Sequence, residues 1–407
     1  MSNSDTITRL QNLPDLVKAV PLLAFGGICF AVGNLFLAEA MPPADFGNVV
    51  LYLVFIQLAH AIAPLGAETL TIRRLLPASR ILLARVATSS VIVSVMLSLI
   101  TFNFYHLPGM LSIMLFGNCL LAGLTRVGAA VFQANHRVLT SISFLQIHNI
   151  FIVMIGAVAL LSSSLDSTAV CALISLGYIV TTLYAWRPSN MSKDASDIQG
   201  SWKEGLALVS VGMALLLLMQ LERLVIPQAL NISELALFAV CAAIYLAPFR
   251  MYQLAVYYVL PTRIRREELP ELRKNIVYSE IYRSTIICAF FSGVLWLVGP
   301  LIIALFNLDH YQLDSDLVVA ALISGIVKVF STIGTVAITV TGTKQDLSKM
   351  SAASWVILIT SLPFAIFCSR WGTTGVIISV ALSWAIYGTV GFVLQLKNIN
   401  RSLSNPV

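Results

Sequence analysis

The sequence predicts an all-α polytopic membrane protein, with twelve transmembrane helices in two pseudo-symmetric six-helix bundles around a central cavity. Three observations carry this. Of 407 residues, 58% are hydrophobic and 11% charged, with a mean hydropathy of +0.88; an average soluble domain carries about 25% charged residues. Runs of about 20 apolar residues, the length needed to cross a bilayer, recur along the whole chain. The basic residues fall almost entirely on one side of those runs.

The runs lie at 17–41, 47–67, 81–103, 110–132, 138–161, 168–186, 205–229, 235–260, 281–305, 317–341, 350–368 and 376–396. The first is too long for a signal-peptide core of about 7–15 residues and lacks a small-residue cleavage site, so it is expected to be a retained span. With the N-terminus in the cytoplasm, 19 of the 25 basic residues fall on inside segments, five within spans, and one, Arg370, outside. The positive-inside rule then places both termini in the cytoplasm and makes the number of spans even. The same count explains the net charge of +6 as short basic turns, with no nucleic-acid partner. Six cysteines (Cys29, Cys119, Cys171, Cys241, Cys288, Cys368) are scattered singly through apolar runs. Without paired spacing they predict neither disulfides nor a metal site.

The polar segment 187–203, "RPSNMSKDASDIQGSWK", divides the chain into an N-terminal six-helix lobe (1–186) and a C-terminal one (204–407). The lobes look related. "PPADFGNVVLYLVF" places Asp45 before span 2, which ends in "IRRLLP"; "NISELALFAVCAAIY" places Glu234 before span 8, which ends in "PTRIRR". In each case a carboxylate opens the helix at its positive dipole end and arginines close it at the negative end. The two spans run in the same direction, as in transporters built from parallel repeats.

The charges inside the spans carry the functional signal. A charged side chain at the bilayer centre costs roughly 2.5–3.5 kcal/mol on insertion scales. Lys328 and Arg250 lie near the middles of spans 10 and 8; Arg223 lies a turn or so outward in span 7 and Arg126 a turn or so inward in span 4. Arg283, at the cytoplasmic end of span 9, is expected to snorkel to headgroups. At helical spacing, Ser324, Ser331, Thr332 and Thr335 surround Lys328; Gln253 and Tyr257 extend the stripe of Arg250; Gln220 shares that of Arg223. Facing lipid, the four cations would cost on the order of 10 kcal/mol together, so water or a bound anion must offset them. A phosphate-type anion fits, because arginine forks match it bidentately. Glu222 is expected to meet Arg250 or Lys328 across the interior, or to act as an ion-coupling site. The first half offers uncharged polarity at this depth: Asn34, Gln57 with His60, and Gln146, His148 and Asn149. His60 and His148 are further ion-coupling candidates.

Two stretches, "MPPADFGNVVLYLVFIQLAHAIAPLGAETLTIRRL" (41–75) and "LLLLMQLERLVIPQALNISELALFAV" (215–240), resemble the bacterial polysaccharide and O-antigen flippases of the multidrug/oligosaccharidyl-lipid/polysaccharide exporter superfamily. The resemblance covers the chain in layout and these stretches in sequence. It implies transfer of undecaprenyl-pyrophosphate-linked oligosaccharide, for lipopolysaccharide or another surface polysaccharide, from the cytoplasmic to the periplasmic leaflet of the bacterial inner membrane. It also implies alternating access of two bundles, with substrate held by cavity cations similar in position to Arg223, Arg250 and Lys328. The chain departs from the family in having few cations in its first half, and it lacks the two extra spans of the lipid II flippases, which disfavours a peptidoglycan role. Expected partners are the lipid-linked oligosaccharide, membrane lipids, and the polymerase and glycosyltransferases of the same pathway, around a monomeric transporter. No cofactor or metal is expected, and coupling would be to H+, Na+ or the membrane potential; no GxxxxGK[ST] motif provides for ATP.

Two alternatives stay open. A multidrug/cation antiporter of the same superfamily favours acids in its cavity, and only Glu222 is available. A membrane polysaccharide polymerase or glycosyltransferase needs catalytic residues on sizeable loops, whereas the longest outside loop, "FNLDHYQLDSD" (306–316), has eleven residues.

Overall fold

A computed structural model of the chain describes residues 13–162, 165–187, 202–267 and 269–404. Among these residues every regular element is a helix. In chain order they are α1 (Leu13–Ala40), α2 (Pro43–Ile62), the short α3 (Ala67–Arg74), α4 (Arg80–Phe104), α5 (Gly109–Ala134), α6 (Val138–Ser162) and α7 (Ser167–Ala185). Then follow α8 (Trp202–Ala229), α9 (Ile232–Cys241), α10 (Ala247–Arg266), α11 (Pro270–Leu305), α12 (Ser315–Thr341), α13 (Lys344–Cys368) and α14 (Gly372–Ser404). Side-chain caps fix several starts: Ser79 on α4, Asp166 on α7, Asn231 on α9, and Thr343 with Asp346 in a reciprocal box on α13.

Eleven stretches are long and apolar enough to span a bilayer, and the last of them, 344–398, holds two passes. The turn Ser369–Trp371 and the left-handed Gly372 (φ +68°) reverse the chain between α13 and α14. Ser361 of α13 then donates to Ser383 of α14 at 2.6 Å. With that last stretch divided, the described residues hold the twelve membrane-length helical segments that the hydropathy predicts.

Two compact units emerge, Met1–Met213 and Ala214–Val407. Of the predicted linker 187–203, residues 188–201 lie outside the described set. The division falls some ten residues beyond the linker, because the start of α8 belongs with the first unit. Gly205 lies so close to the turn after α2 that a Cβ on Gly66 would stand 2.4 Å from its carbonyl oxygen.

The two units repeat a common plan. In the first, Ser167 at the start of α7 donates to Asp45 in the first turn of α2 (3.1 Å). In the second, Thr373 at the start of α14 donates to Glu234 in the first turn of α9 (2.6 Å). The acids singled out by the sequence repeat are thus both tied to the last span of their own unit. Spans 2 and 8 are also both interrupted. The sequence reading ran span 2 unbroken from 47 to 67, but α2 stops at Ile62, because Pro64 has no N–H to donate and Leu65 and Gly66 take left-handed conformations. In the second unit, Pro248 has no N–H for the Ile244 carbonyl, and Ala242–Leu246 widens into a π turn, with Ala247 donating to Ala242. Irregular backbone at membrane depth is tolerated where protein buries it or water reaches it.

Close approach of α12 and α14 needs bare backbone: a Cβ on Gly388 would lie 2.7 Å from the Cα of Ser331. Ser331 donates there to the Trp384 carbonyl at 2.6 Å.

Two outcomes are expected. Gly388→Ala overpacks this contact and lowers stability by about 1–3 kcal/mol, read as thermal unfolding in detergent; an unchanged transition contradicts the close packing. Double-mutant cycles on Asp45/Ser167 and Glu234/Thr373 each give a coupling energy of about 1 kcal/mol, and a zero value for either removes that contact from the shared plan.

Candidate functional site

The site is assembled from the midpoints of two helices of the second unit and the later part of a third. Lys328 stands thirteen residues from either end of α12 (Ser315–Thr341). Arg250 lies within a residue of the centre of the continuous α9–α10 segment, 232–266, two residues after Pro248. The π turn ends four residues before Arg250. Glu222 and Arg223 lie toward the end of α8, one helical turn before Pro227, whose missing N–H leaves the Arg223 carbonyl without its helical donor.

Lys328 donates through Nζ to Glu222 Oε1, and both side chains are buried, with residue exposures of 5% and 0%. Of the two meetings expected for Glu222, the structure makes the one with Lys328. Arg250 also lies within electrostatic reach of Glu222, and Arg223 within reach of both Glu222 and Arg250. Three cations and one acid thus form a single cluster. Glu222 Oε2 and Arg223 Nε are buried without a hydrogen-bond partner among the described residues. At the margin, Gln253 donates to Thr332 Oγ1 (2.7 Å), which donates to the Lys328 carbonyl (2.9 Å). Tyr257, read with Gln253 as part of this stripe, is 56% exposed and sets its ring edge-on to Tyr258.

Removing one partner of a buried ion pair typically costs about 3–5 kcal/mol, while apolar residues of similar volume often serve stability as well or better. Stability alone does not account for a lysine at this depth. The arrangement can do one thing well: present several donors to an anion that brings the negative charge the cluster lacks.

Arg126 is part of a different group, in the first unit. It acts electrostatically on Glu68 and His60. His60 lies 6.0 Å from His148 by ring centroids, and His148 stacks on Tyr178 at 3.9 Å and 13°. Glu68 Oε2 and the Nε2 atoms of both histidines are buried without a hydrogen-bond partner among the described residues. The sequence reading placed Arg126 with the other cations and missed Glu68, which it left beyond the end of span 2. The break at Pro64–Gly66 carries Glu68 back into the interior, and the Pro–Leu–Gly run was the signal. Arg283, with its side chain 48% exposed, donates to Glu280 (2.6 Å), which accepts from Arg263 as well (2.9 Å), a contact the sequence reading did not foresee.

The sequence profile of the family described as polysaccharide biosynthesis protein matches residues 36–263, more than half of the chain. Comparison with curated proteins found no match. Among solved structures, the chain is similar to the inward-facing conformation of a multidrug resistance MATE family transporter of the MOP superfamily. That match has a TM-score of 0.65 at 14% identity and covers 94% of this chain and 96% of the other. The outward-facing conformation of such a transporter matches with a TM-score of 0.55 at 14% identity, over 95% and 97%. At this identity the likeness concerns the fold alone. The chain is a multi-pass membrane protein of the polysaccharide biosynthesis protein family, built on the fold of MOP-superfamily transporters.

Proposed function

We propose that the protein is a flippase that carries a polyprenyl-pyrophosphate-linked oligosaccharide, an O-antigen or other surface polysaccharide unit, from the cytoplasmic to the periplasmic leaflet of the bacterial inner membrane. The observation that supports this most is the cluster of Arg223, Arg250 and Lys328 around the single acid Glu222. Its excess positive charge suits a pyrophosphate, and the family match supplies the polysaccharide context. Arg250 and Lys328 grip the pyrophosphate, Arg223 adds field, and Gln253 with Thr332 steadies the stripe between them. The sugars travel with the headgroup in water while the polyprenyl tail stays in lipid, by alternating access. Both termini lie in the cytoplasm. Glycosyltransferases supply the cargo, and a polymerase consumes it.

A second reading, export of organic cations, draws on the likeness to multidrug transporters. Three cations to one acid in the buried cluster of the second unit disfavour it. The group Glu68, His60 and Arg126 adds only one more acid. Fold and family both speak for transport over catalysis.

Reconstitution with a fluorescent pyrophosphate-linked glycolipid tests the reading. Arg250→Ala and Lys328→Ala are each expected to slow flipping at least about tenfold, the loss of one charge-assisted contact of roughly 1.5–3 kcal/mol. Unchanged flipping in both, at equal protein level, ends this assignment; transport of an organic cation in place of the glycolipid selects the second reading.

A further inference from the structure

We propose that Glu222 is a tethered substitute for the anionic cargo: it holds Lys328 until a phosphate group takes its place, and it then turns to Arg223 and Arg250. This inference rests on the anion-binding reading of the same cluster.

A carboxylate and a phosphate offer an ammonium the same acceptor chemistry, charged oxygen with free lone pairs. Lys328 donates to one oxygen of Glu222, and the other, Oε2, is buried without a hydrogen-bond partner among the described residues. The next residue, Arg223, has its Nε donor buried in the same condition. A pair built only for stability would use both carboxylate oxygens, since each unmet buried polar atom is costly. Arg223 and Arg250 both act electrostatically on Glu222, so a Glu222 that leaves Lys328 stays in the field of two further cations, one of which has an unused donor.

Charge points the same way. The cluster has three cations and one acid, and a pyrophosphate diester carries one charge on each phosphate. With Glu222 retained and the diester bound, the site is neutral. Without the diester, Glu222 keeps the most central cation, Lys328, from standing alone. Glu222 and cargo therefore compete for Lys328. A site whose binding form is populated for only part of the time shows an affinity reduced by that fraction. Glu222 thereby lowers affinity for the headgroup and hastens its release.

The test is calorimetric binding of inorganic pyrophosphate to the purified full chain. Glu222→Gln is expected to bind about 10- to 100-fold more tightly than wild type, and to flip glycolipid more slowly at saturation because release is delayed. Glu222→Asp, which keeps the charge but shortens its reach, is expected to move both readouts the same way by less. A wild-type readout stands beside the variants: infrared difference spectra with carbon-13 glutamate should show a carboxylate band moving when pyrophosphate is added. Equal or weaker binding by both variants, or an unmoved band, overturns the proposal while leaving the anion site intact. Failure of wild type and both variants to bind pyrophosphate defeats the anion reading and this proposal with it.

Discussion

The placement of Lys328 constrains everything around it. A charged group at the centre of a membrane helix needs compensation, and the protein supplies it from α8, 106 residues earlier in the chain, through Glu222. That contact fixes the register of α8 against α12 within the second unit. It also settles which way Arg223 can face, because adjacent residues on a helix point about 100° apart. Arg250 then joins from a span interrupted by a π turn. The cluster is thus a consequence of three separate backbone decisions, and it carries more cations than acids.

The broken spans give the two units a shared logic. In both, the second span opens on an acid tied to the sixth, and in both it loses regularity near mid-depth before a charged residue, Glu68 or Arg250. The chemistry has diverged within that plan. The first unit keeps a histidine pair, a tyrosine, one acid and one arginine; the second keeps the cation-rich cluster. Discontinuous helices at repeat-related positions are where membrane transporters bind their cargo.

Much of this was legible in the sequence. Apolar runs of membrane length identified all twelve passes, and the related turns "PPADFG" and "NISE" marked the repeat, since span length and helix-opening acids are local properties. The charges at depth were equally visible. What the sequence blurred were features shorter than a hydropathy window. A four-residue break at Ala63–Gly66 disappears inside an averaged run of twenty, and Glu68 was misplaced with it. The π turn had only Pro248 as its sign. The contact of Arg283 with Glu280 went unread although the three-residue spacing brings side chains together on one helix face. The choice between Lys328 and Arg250 as the partner of Glu222 could not be made locally, because it depends on how α8 packs against α12.

The central claim is that these buried cations meet water and an anion at some stage of the working cycle. Single cysteines at 250 and 328, introduced into a chain freed of its six buried cysteines, test it directly in intact membranes with a membrane-impermeant thiol reagent. The account predicts labelling at both positions in membranes. Positions that stay unlabelled in membranes, while reacting fully once the protein is unfolded, would contradict it.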